Sequence, residues 1–184
     1  LHTVKIFKNY KDIAEIYSKK FKYILVDEYQ DTNFIQSEWL KYLSSYNKNI
    51  CCVGDDDQSI YSWRGAEIKN FLEFDKIYNN TKIVRLERNY RSTQNILSVA
   101  SKIISNNEAR VGKNLYTEGE DGDLVSLNSF RSGKDEAIGI SDKIEKLKKK
   151  YSLNDISILV RAIFQTREFE ERFLKIGIPY RIIG

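Results

Sequence analysis

Residues 25–31 read Leu-Val-Asp-Glu-Tyr-Gln-Asp, an apolar run that passes directly into acidic and amide side chains. A second apolar run at residues 50–53 passes into Gly-Asp-Asp-Asp-Gln-Ser-Ile-Tyr at residues 54–61. Short continuous apolar runs are typical of strands buried on both faces of a parallel sheet. Ligands gather outside the carboxyl ends of such strands, so the two polar ends predict one shared site. Its carboxylates and amide favour a nucleotide with its metal ion.

The apolar pattern alternates between strand and helix on both sides of these runs. The predicted strands are residues 23–27, 50–53, 82–86, 124–130, 156–160 and 180–183. The predicted helices are residues 12–20, a segment after Asn33, residues 67–74, 96–104 and 137–147, and a helix that ends at Gly177. This alternation predicts an α/β fold with a doubly wound parallel sheet.

Local signals give some of the boundaries. Asn33 with Gln36 is typical of a helix N-cap, and Gly177 followed by Pro179 is typical of a helix end. The polar stretch 78–81 predicts the joint between two domains, residues 1–78 and 79–184. Residues 106–123 predict a long loop.

Composition narrows the class of protein. The 184 residues contain no methionine, so we expect a piece cut from a longer chain. A hydrophobic content of 41% is enough for a core, and a net charge of +4 permits nucleic acid as a partner without requiring it. No apolar run approaches the roughly 20 residues of a membrane span, so we expect a soluble, cytoplasmic protein.

Histidine and cysteine content excludes other site types. His2 is the only histidine, so neither a zinc site of spaced cysteines and histidines nor a Ser-His-Asp triad can form. Cys51 and Cys52 are neighbours inside an apolar run, which predicts buried free thiols.

Asp27 and Glu28 are the candidate catalytic pair. At a strand end, the first carboxylate suits a magnesium ion and the second suits an attacking water. A solvated loop remains the alternative for these two residues taken alone.

Three segments carry a resemblance to a known family. Residues 26–33, Val-Asp-Glu-Tyr-Gln-Asp-Thr-Asn, resemble motif II of superfamily 1 DNA helicases of the UvrD, Rep and PcrA kind. Residues 53–66 resemble motif III, and residues 86–93, Leu-Glu-Arg-Asn-Tyr-Arg-Ser-Thr, resemble motif IV. The resemblance runs on through residues 159–161 and 178–180, so it covers nearly the whole chain. It implies RecA-like (P-loop NTPase) parallel sheets flanked by helices, with parts of two RecA-like domains.

The resemblance implies roles for the residues at the two strand ends. Asp27 would support Mg²⁺, with Glu28 beside it as a second candidate ligand, and Glu28 would activate the hydrolytic water. Gln30 and Asp31 would couple the ATP site to its surroundings. Gln58 would sense the γ-phosphate, because an amide both donates and accepts hydrogen bonds.

Other implied roles concern the second domain and DNA. Arg91 would place a positive charge at the transferring phosphoryl group, and Tyr90 would stack on adenine. Tyr61, Trp63 and Arg64 would bind single-stranded DNA by stacking, although aromatics at this spacing are also typical of a core.

The resemblance implies an ATP-dependent DNA helicase that moves 3′ to 5′ along single-stranded DNA and unwinds duplex junctions in repair or replication. The phosphate-binding pattern G-x-x-x-x-G-K-[ST] is absent, since Asn114 follows Gly112-Lys113 and Asp135 follows Gly133-Lys134. We therefore expect that loop upstream, motifs V and VI downstream, and negligible ATP hydrolysis by this piece alone. The alternatives are the helicase subunit of a recombination nuclease and a non-catalytic DNA-binding module.

Overall fold

The computed structural model describes residues 1–107 and 112–183, which form a mixed helix and strand structure. The helices are α1 (His2–Asn9), α2 (Lys11–Lys20), α3 (Phe34–Ser44), α4 (Lys69–Leu72), α5 (Phe74–Ile77), α6 (Gln94–Ile104), α7 (Gly133–Leu147) and α8 (Thr166–Ile176). The strands are β1 (Ile24–Val26) and β2 (Ile50–Cys52). The chain divides into two compact units, Leu1–Val125 and Ser126–Gly184.

The two strands pair in parallel, as the sequence predicts. Ile24 lies opposite Ile50 and Val26 lies opposite Cys52. The hydrogen bonds continue past the strand ends, where the Val53 amide donates to the Val26 carbonyl at 2.8 Å and the Tyr29 amide donates to the Val53 carbonyl at 3.0 Å. This continuation brings the polar segments that follow β1 and β2 to one edge of the sheet.

Helix α3 separates the two strands along the chain, and its start is set by the predicted cap. Asn33 Oδ1 accepts a hydrogen bond from the Gln36 amide at 2.9 Å, and Gln36 Oε1 accepts one from the Asn33 amide at 2.9 Å. Such reciprocal capping satisfies two amides that helical geometry leaves without partners. The cap therefore confirms the predicted helix and sets Phe34 as its first residue, shortly after the polar segment that follows β1.

The core of the first unit is small and lies beside the sheet. Phe7, Ala14 and Leu43 are buried against one another, and they bring together α1, α2 and α3. Burying a side chain as large as phenylalanine contributes roughly 1.5–3 kcal/mol relative to leaving it in water. Helix α1 contributes Phe7 to this core. The sequence reasoning did not predict α1.

The second unit is built on α7 and α8. Its buried cluster contains the two predicted stripe residues Ala137 and Ile144, together with Phe169 and Phe173 of α8. Helix α8 ends where Gly177 adopts the left-handed conformation at φ 69°, which confirms the predicted end.

Four predicted strands are wrong. Residues 82–86, 124–130, 156–160 and 180–183 are not strands, and none forms a backbone ladder with another segment of the described chain. Leu127 is 100% exposed and Leu159 is 95% exposed. A strand requires a neighbouring strand as the partner for its backbone hydrogen bonds. An apolar run indicates that a segment prefers burial, but it does not show which segment lies beside it. The α/β class with a parallel sheet holds, but the sheet of the described residues has only β1 and β2.

The cysteine prediction is half wrong. Both thiols are free, but Cys51 is exposed and Cys52 is partly buried. Burial, with a smaller contribution from Cys51, raises the pKa of the Cys52 thiol to about 12. The two neighbours point to opposite faces of β2, and only one face is covered.

Two predictions concern larger features of the chain. The compact units divide between Val125 and Ser126, whereas the domain boundary between residues 78 and 79 stays a prediction. Residues 108–111 of the predicted long loop, and Gly184, lie outside the described residues. No helix in the described ranges is long and apolar enough to cross a membrane.

Candidate functional site

The end of β1 presents two adjacent carboxylates to solvent. Asp27 and Glu28 are both exposed, and the Glu28 amide donates to Asp27 Oδ1 at 2.9 Å. Glu28 has φ 51° and ψ 42°, a left-handed conformation that glycine adopts easily. A residue with a side chain held there costs on the order of 1–3 kcal/mol, and such strain clusters at functional sites. The turn ends the strand, and both residues with carboxylates at this end are exposed.

Gln30 connects the ends of the two strands. Its Nε2 donates to Glu28 Oε2 at 2.6 Å, and its Oε1 accepts from the Asp55 amide at 3.0 Å. Gln30 is 1% exposed, so its own amide group depends on these two partners and has little access to water. One amide group therefore holds the Glu28 carboxylate and ties it to the residue that follows β2.

Gly54 makes room for this bridge. A Cβ atom on Gly54 would lie 2.6 Å from Gln30 Oε1 and 2.8 Å from Phe71 Cε2, closer than real contacts allow. Any larger residue would push the Gln30 amide or the Phe71 ring out of place. The sequence reasoning did not single out Gly54 or Phe71; a glycine between an apolar strand and an acidic turn was the available signal.

The segment after β2 forms a tight acidic turn that holds Gln58. Asp55 Oδ1 accepts from the Asp57 amide at 3.0 Å, and Asp55 Oδ2 accepts from Gln58 Nε2 at 2.8 Å. Gln58 itself is exposed. Asp55 thus restrains the predicted sensor residue, a role that the sequence reasoning did not assign.

Lys113 reaches this turn from a distant part of the chain. Its ammonium forms an ion pair with Asp55 Oδ1 and lies 3.9 Å from Asp57 Oδ2. Burial opposes ionisation of Asp55, but hydrogen bonds from Lys113 and Gln58 outweigh it, so the pKa of the Asp55 carboxyl lies below its usual value. The sequence reasoning noted Lys113 only because no Ser or Thr follows it.

Several carboxylates could hold a metal ion. Asp31 Oδ1 is buried and has no hydrogen-bond partner in residues 1–107 and 112–183. Asp55, Asp56 and Asp57 offer oxygens that lie within 4.8 Å of one another, although the Lys113 ammonium already neutralises part of their charge. Carboxylate oxygens are the ligands that Mg²⁺ prefers. The carboxylate oxygens that follow β1 and β2 therefore fit a hard cation such as Mg²⁺.

Tyr90 and Arg91 lie on an exposed turn formed by Asn89. Asn89 Oδ1 accepts hydrogen bonds from the Arg91 amide at 2.9 Å and the Ser92 amide at 2.8 Å. Tyr90 is 82% exposed, and the Arg88 guanidinium lies 4.8 Å from its ring centre. No ion pair joins Arg91 to the acidic residues of the strand ends among the described residues. The structure thus brings Glu28, Gln30, Asp55 and Gln58 into one network and leaves Arg91 outside it.

Tyr61, Trp63 and Arg64 form an exposed aromatic surface. The Arg64 guanidinium carbon lies 4.8 Å from the Tyr61 ring centre and 4.6 Å from the Trp63 ring centre. Trp63 is 71% exposed, which argues against the core alternative. Exposed rings beside a guanidinium are what a surface for unpaired bases requires.

Two family models match the chain and together span almost all of it. The model described as the UvrD/REP helicase N-terminal domain matches residues 1–79. The model described as the UvrD-like helicase C-terminal domain matches residues 84–184.

Relatives with curated names resemble the chain over its full length. A probable DNA helicase II homolog of Rickettsia conorii is 50% identical over 186 residues, which cover 100% of this chain and 28% of the relative. The ATP-dependent DNA helicase PcrA of Bacillus subtilis is 45% identical over 99% of this chain and 25% of its own length. DNA helicase II of Haemophilus influenzae is 44% identical over 100% of this chain and 25% of its own length. The chain therefore spans about a quarter of the length of these relatives.

Proposed function

The chain belongs to the UvrD-like helicase family, and we propose on this basis that the whole protein is an ATP-dependent DNA helicase. In this proposal the chain supplies the two strand ends at which ATP is hydrolysed and an exposed surface for single-stranded DNA. The Gln30 bridge carries the proposal, because it holds the Glu28 carboxylate at the end of β1 and ties it to the turn after β2.

Glu28 is the proposed catalytic base. Hydrolysis of the terminal phosphate of ATP needs a water that is aimed at phosphorus and can lose a proton. The exposed Glu28 carboxylate can accept that proton, while the buried Gln30 amide limits where its oxygens lie.

Asp27, Glu28 and Asp31 are the proposed carboxylates for Mg²⁺. Asp31 Oδ1, which is buried and has no hydrogen-bond partner within the described part of the chain, supports this assignment, since a cation would supply an interaction for it. When bound, Mg²⁺ would neutralise charge on the phosphates. Asp31 and Gln30 would then link the phosphate site to the rest of the first unit.

Gln58 and Arg91 are the proposed contacts to the γ-phosphate. Gln58 is exposed and restrained by Asp55, so its amide can exchange that restraint for a phosphate oxygen. The Asn89 turn supports Arg91, and the Tyr90 ring beside it is exposed and available to stack on adenine. A cis arginine contributes roughly 10³–10⁵ in rate in enzymes that use one.

The two halves of the chain are proposed to belong to two RecA-like domains, residues 1–78 and 79–184. The family models support this boundary, because one ends at residue 79 and the other begins at residue 84. Movement of the domains with ATP would shift the surface of Tyr61, Trp63 and Arg64 along DNA. Polarity from 3′ to 5′ and action at duplex junctions in repair or replication stay predictions of the resemblance. A cytoplasmic location stays a prediction from the apolar pattern of the sequence.

ATP turnover by the full-length protein, with and without single-stranded DNA, tests the proposal. Glu28→Gln should lower kcat by about 10²–10⁴-fold, the usual contribution of a general base. Glu171→Gln is the matched control, because Glu171 lies on α8 in an exposed ion pair with Arg167. Turnover that survives Glu28→Gln, or that DNA does not stimulate, would contradict the proposal.

DNA binding is tested separately with Trp63→Ala. The loss of one stacked base should weaken single-stranded DNA binding by about 5- to 150-fold, since stacking contributes about 1–3 kcal/mol per base. Trp39→Ala is the control, because Trp39 lies on α3 and is also exposed, and the ring and cation contacts of Tyr61, Trp63 and Arg64 do not include it among the described residues. Equal DNA affinity of the Trp63 variant and the control would remove this surface from the proposal.

A further inference from the structure

The segment 113–118 contacts two parts of the first unit, and each part carries one of the two proposed γ-phosphate contacts. One contact lies along the chain that leads to Arg91. The Tyr116 amide donates to the Glu87 carbonyl at 3.1 Å, and the Asn89 amide donates to the Tyr116 carbonyl at 2.7 Å. These bonds pair the segment in parallel with the residues directly before Tyr90 and Arg91.

Side chains reinforce this pairing. The Asn114 amide donates to Glu87 Oε1 at 3.0 Å, and Arg88 pairs with Glu118 at 2.5 Å. The Arg88 pair is exposed and contributes little by itself. The backbone hydrogen bonds are therefore the main contacts that hold the segment against residues 87–89.

The other contact lies at the turn after β2. Lys113 forms its ion pair with Asp55, whose second oxygen holds Gln58. The side chains are only partly accessible, with Lys113 at 17%, Asp55 at 23% and Asp57 at 13% of full exposure. Ion pairs of this burial are screened less than surface pairs, and removing one partner leaves the other charge poorly solvated.

Lys113 offsets negative charge that the turn concentrates. Asp55 and Asp57 lie close enough for one ammonium to reach both, and Asp56 lies between them. Without Lys113 their repulsion would favour opening of the turn and would release Gln58. The lowered pKa of Asp55 agrees with a carboxylate held in its charged form by this lysine.

We infer that Lys113 is a positioning residue for the γ-phosphate contact: through Asp55 it sets the place of Gln58, and through segment 113–118 it links Gln58 to the chain that carries Arg91. This inference rests on the proposed function. It makes the two γ-phosphate contacts parts of one connected unit, although no direct bond joins Gln58 and Arg91.

The test measures how well the full-length protein distinguishes a non-hydrolysable ATP analogue from ADP. Lys113→Met should reduce the ratio of the two affinities by about five- to tenfold, the effect of one misplaced hydrogen bond. ADP affinity should stay unchanged, because ADP lacks the phosphate that Gln58 contacts. Lys113→Arg should restore most of the ratio, and Lys102→Met, at an exposed lysine on α6, should leave it unchanged.

A double-mutant cycle with Asp55→Asn tests whether Lys113 affects Gln58 through Asp55. If Lys113 acts through Asp55, Lys113→Met should change the ratio little in the Asp55→Asn background. Full additivity of the two changes would overturn the inference. Equal weakening of both nucleotides by Lys113→Met would also overturn it, because that result indicates a general structural role.

Gln58→Ala separates this inference from the proposed function. Wild-type protein with no preference for the ATP analogue, or a Gln58→Ala variant with the wild-type preference, would overturn the proposed function and this inference together. A preference that requires Gln58 but ignores Lys113→Met would overturn the inference alone.

Discussion

Gln30→Leu removes the bridge between the two strand ends while keeping a side chain of similar size. The Asp55 amide would lose its acceptor, Gln30 Oε1, which lies 3.0 Å away. An amide left without a partner in a partly buried place costs about 1–3 kcal/mol. The bond to Glu28 adds little to this local cost, because the Glu28 carboxylate is exposed and water can replace the Gln30 amide. We therefore expect local destabilisation of about 1–3 kcal/mol at the turn after β2.

Hydrogen exchange of the full-length protein measures this cost at its site. Each 1.4 kcal/mol changes an equilibrium tenfold, so exchange at the Asp55 amide should accelerate by about 5- to 150-fold. The amides of α3 serve as an internal reference, because their hydrogen bonds do not involve Gln30. Gln94→Leu is the control substitution, since the Gln94 side chain donates an exposed 3.3 Å hydrogen bond to Ser98 Oγ.

The same variant tests the catalytic part of the argument. Loss of the 2.6 Å bond from Gln30 frees the Glu28 carboxylate, so kcat for ATP should fall while the KM for ATP changes little. Unchanged exchange at Asp55 would refute the structural reasoning. Accelerated exchange with unchanged kcat would mean that Gln30 stabilises the turn without positioning Glu28.

Three further predictions follow from packing and ionisation. Gly54→Ala should lower the free energy of unfolding by about 1–3 kcal/mol through overpacking, measured by thermal unfolding. At pH 8, iodoacetamide should modify Cys51 far faster than Cys52, because Cys51 is exposed while the pKa of Cys52 is about 12; peptide mass spectrometry resolves the two. The folded state lowers the pKa of Asp55 below its unfolded value of about 3.9, so its stabilisation is present above about pH 4 and is lost as the pH falls through the lowered pKa. Asp55→Asn should therefore flatten the acid side of the stability curve in urea titrations at stepwise pH.

Each of these three predictions has a control or an outcome that would contradict it. Gly133→Ala is the control for Gly54→Ala, because a Cβ atom there would meet Glu168 Cγ at an ordinary 3.5 Å. Equal stability of the two variants would contradict the packing argument. Equal labelling of the two thiols would mean that β2 opens readily. An Asp55→Asn variant with the wild-type acid slope would show that other carboxylates control that slope.

Much of the helical structure could be predicted, because its signals are local. The start of α3 depends on Asn33 and Gln36, which are three residues apart, and the end of α8 depends on Gly177 itself. The apolar residues of α7 repeat at helical spacing, and Ala137 and Ile144 are buried as that spacing predicts. Helix α1 was missed, since its single buried residue, Phe7, gives no repeating pattern.

Some members of the network at the strand ends were named from sequence, but the connections between them were not. The sequence identifies four polar residues as candidates because they follow apolar strand runs: Asp27, Glu28, Gln30 and Gln58. Their partners do not stand out, since Lys113 is 58 residues from Asp55 along the chain. The roles of the predicted residues in hydrolysis and DNA binding stay predictions until the variants above are measured.

The sequence by itself determined the start of α3, the end of α8, the apolar stripe of α7, and the polar side chains that follow the apolar runs of β1 and β2. These features depend on residues within a few positions of one another, where capping, periodicity and burial preference act. Only the tertiary structure decided that Gln30 bridges Glu28 and Asp55 and that Lys113 holds the acidic turn. It also decided that residues 82–86 and 124–130 form no strand with another segment of the described chain. A hydrogen bond or a strand pairing requires two groups to meet in space, and that meeting is set by how distant segments pack.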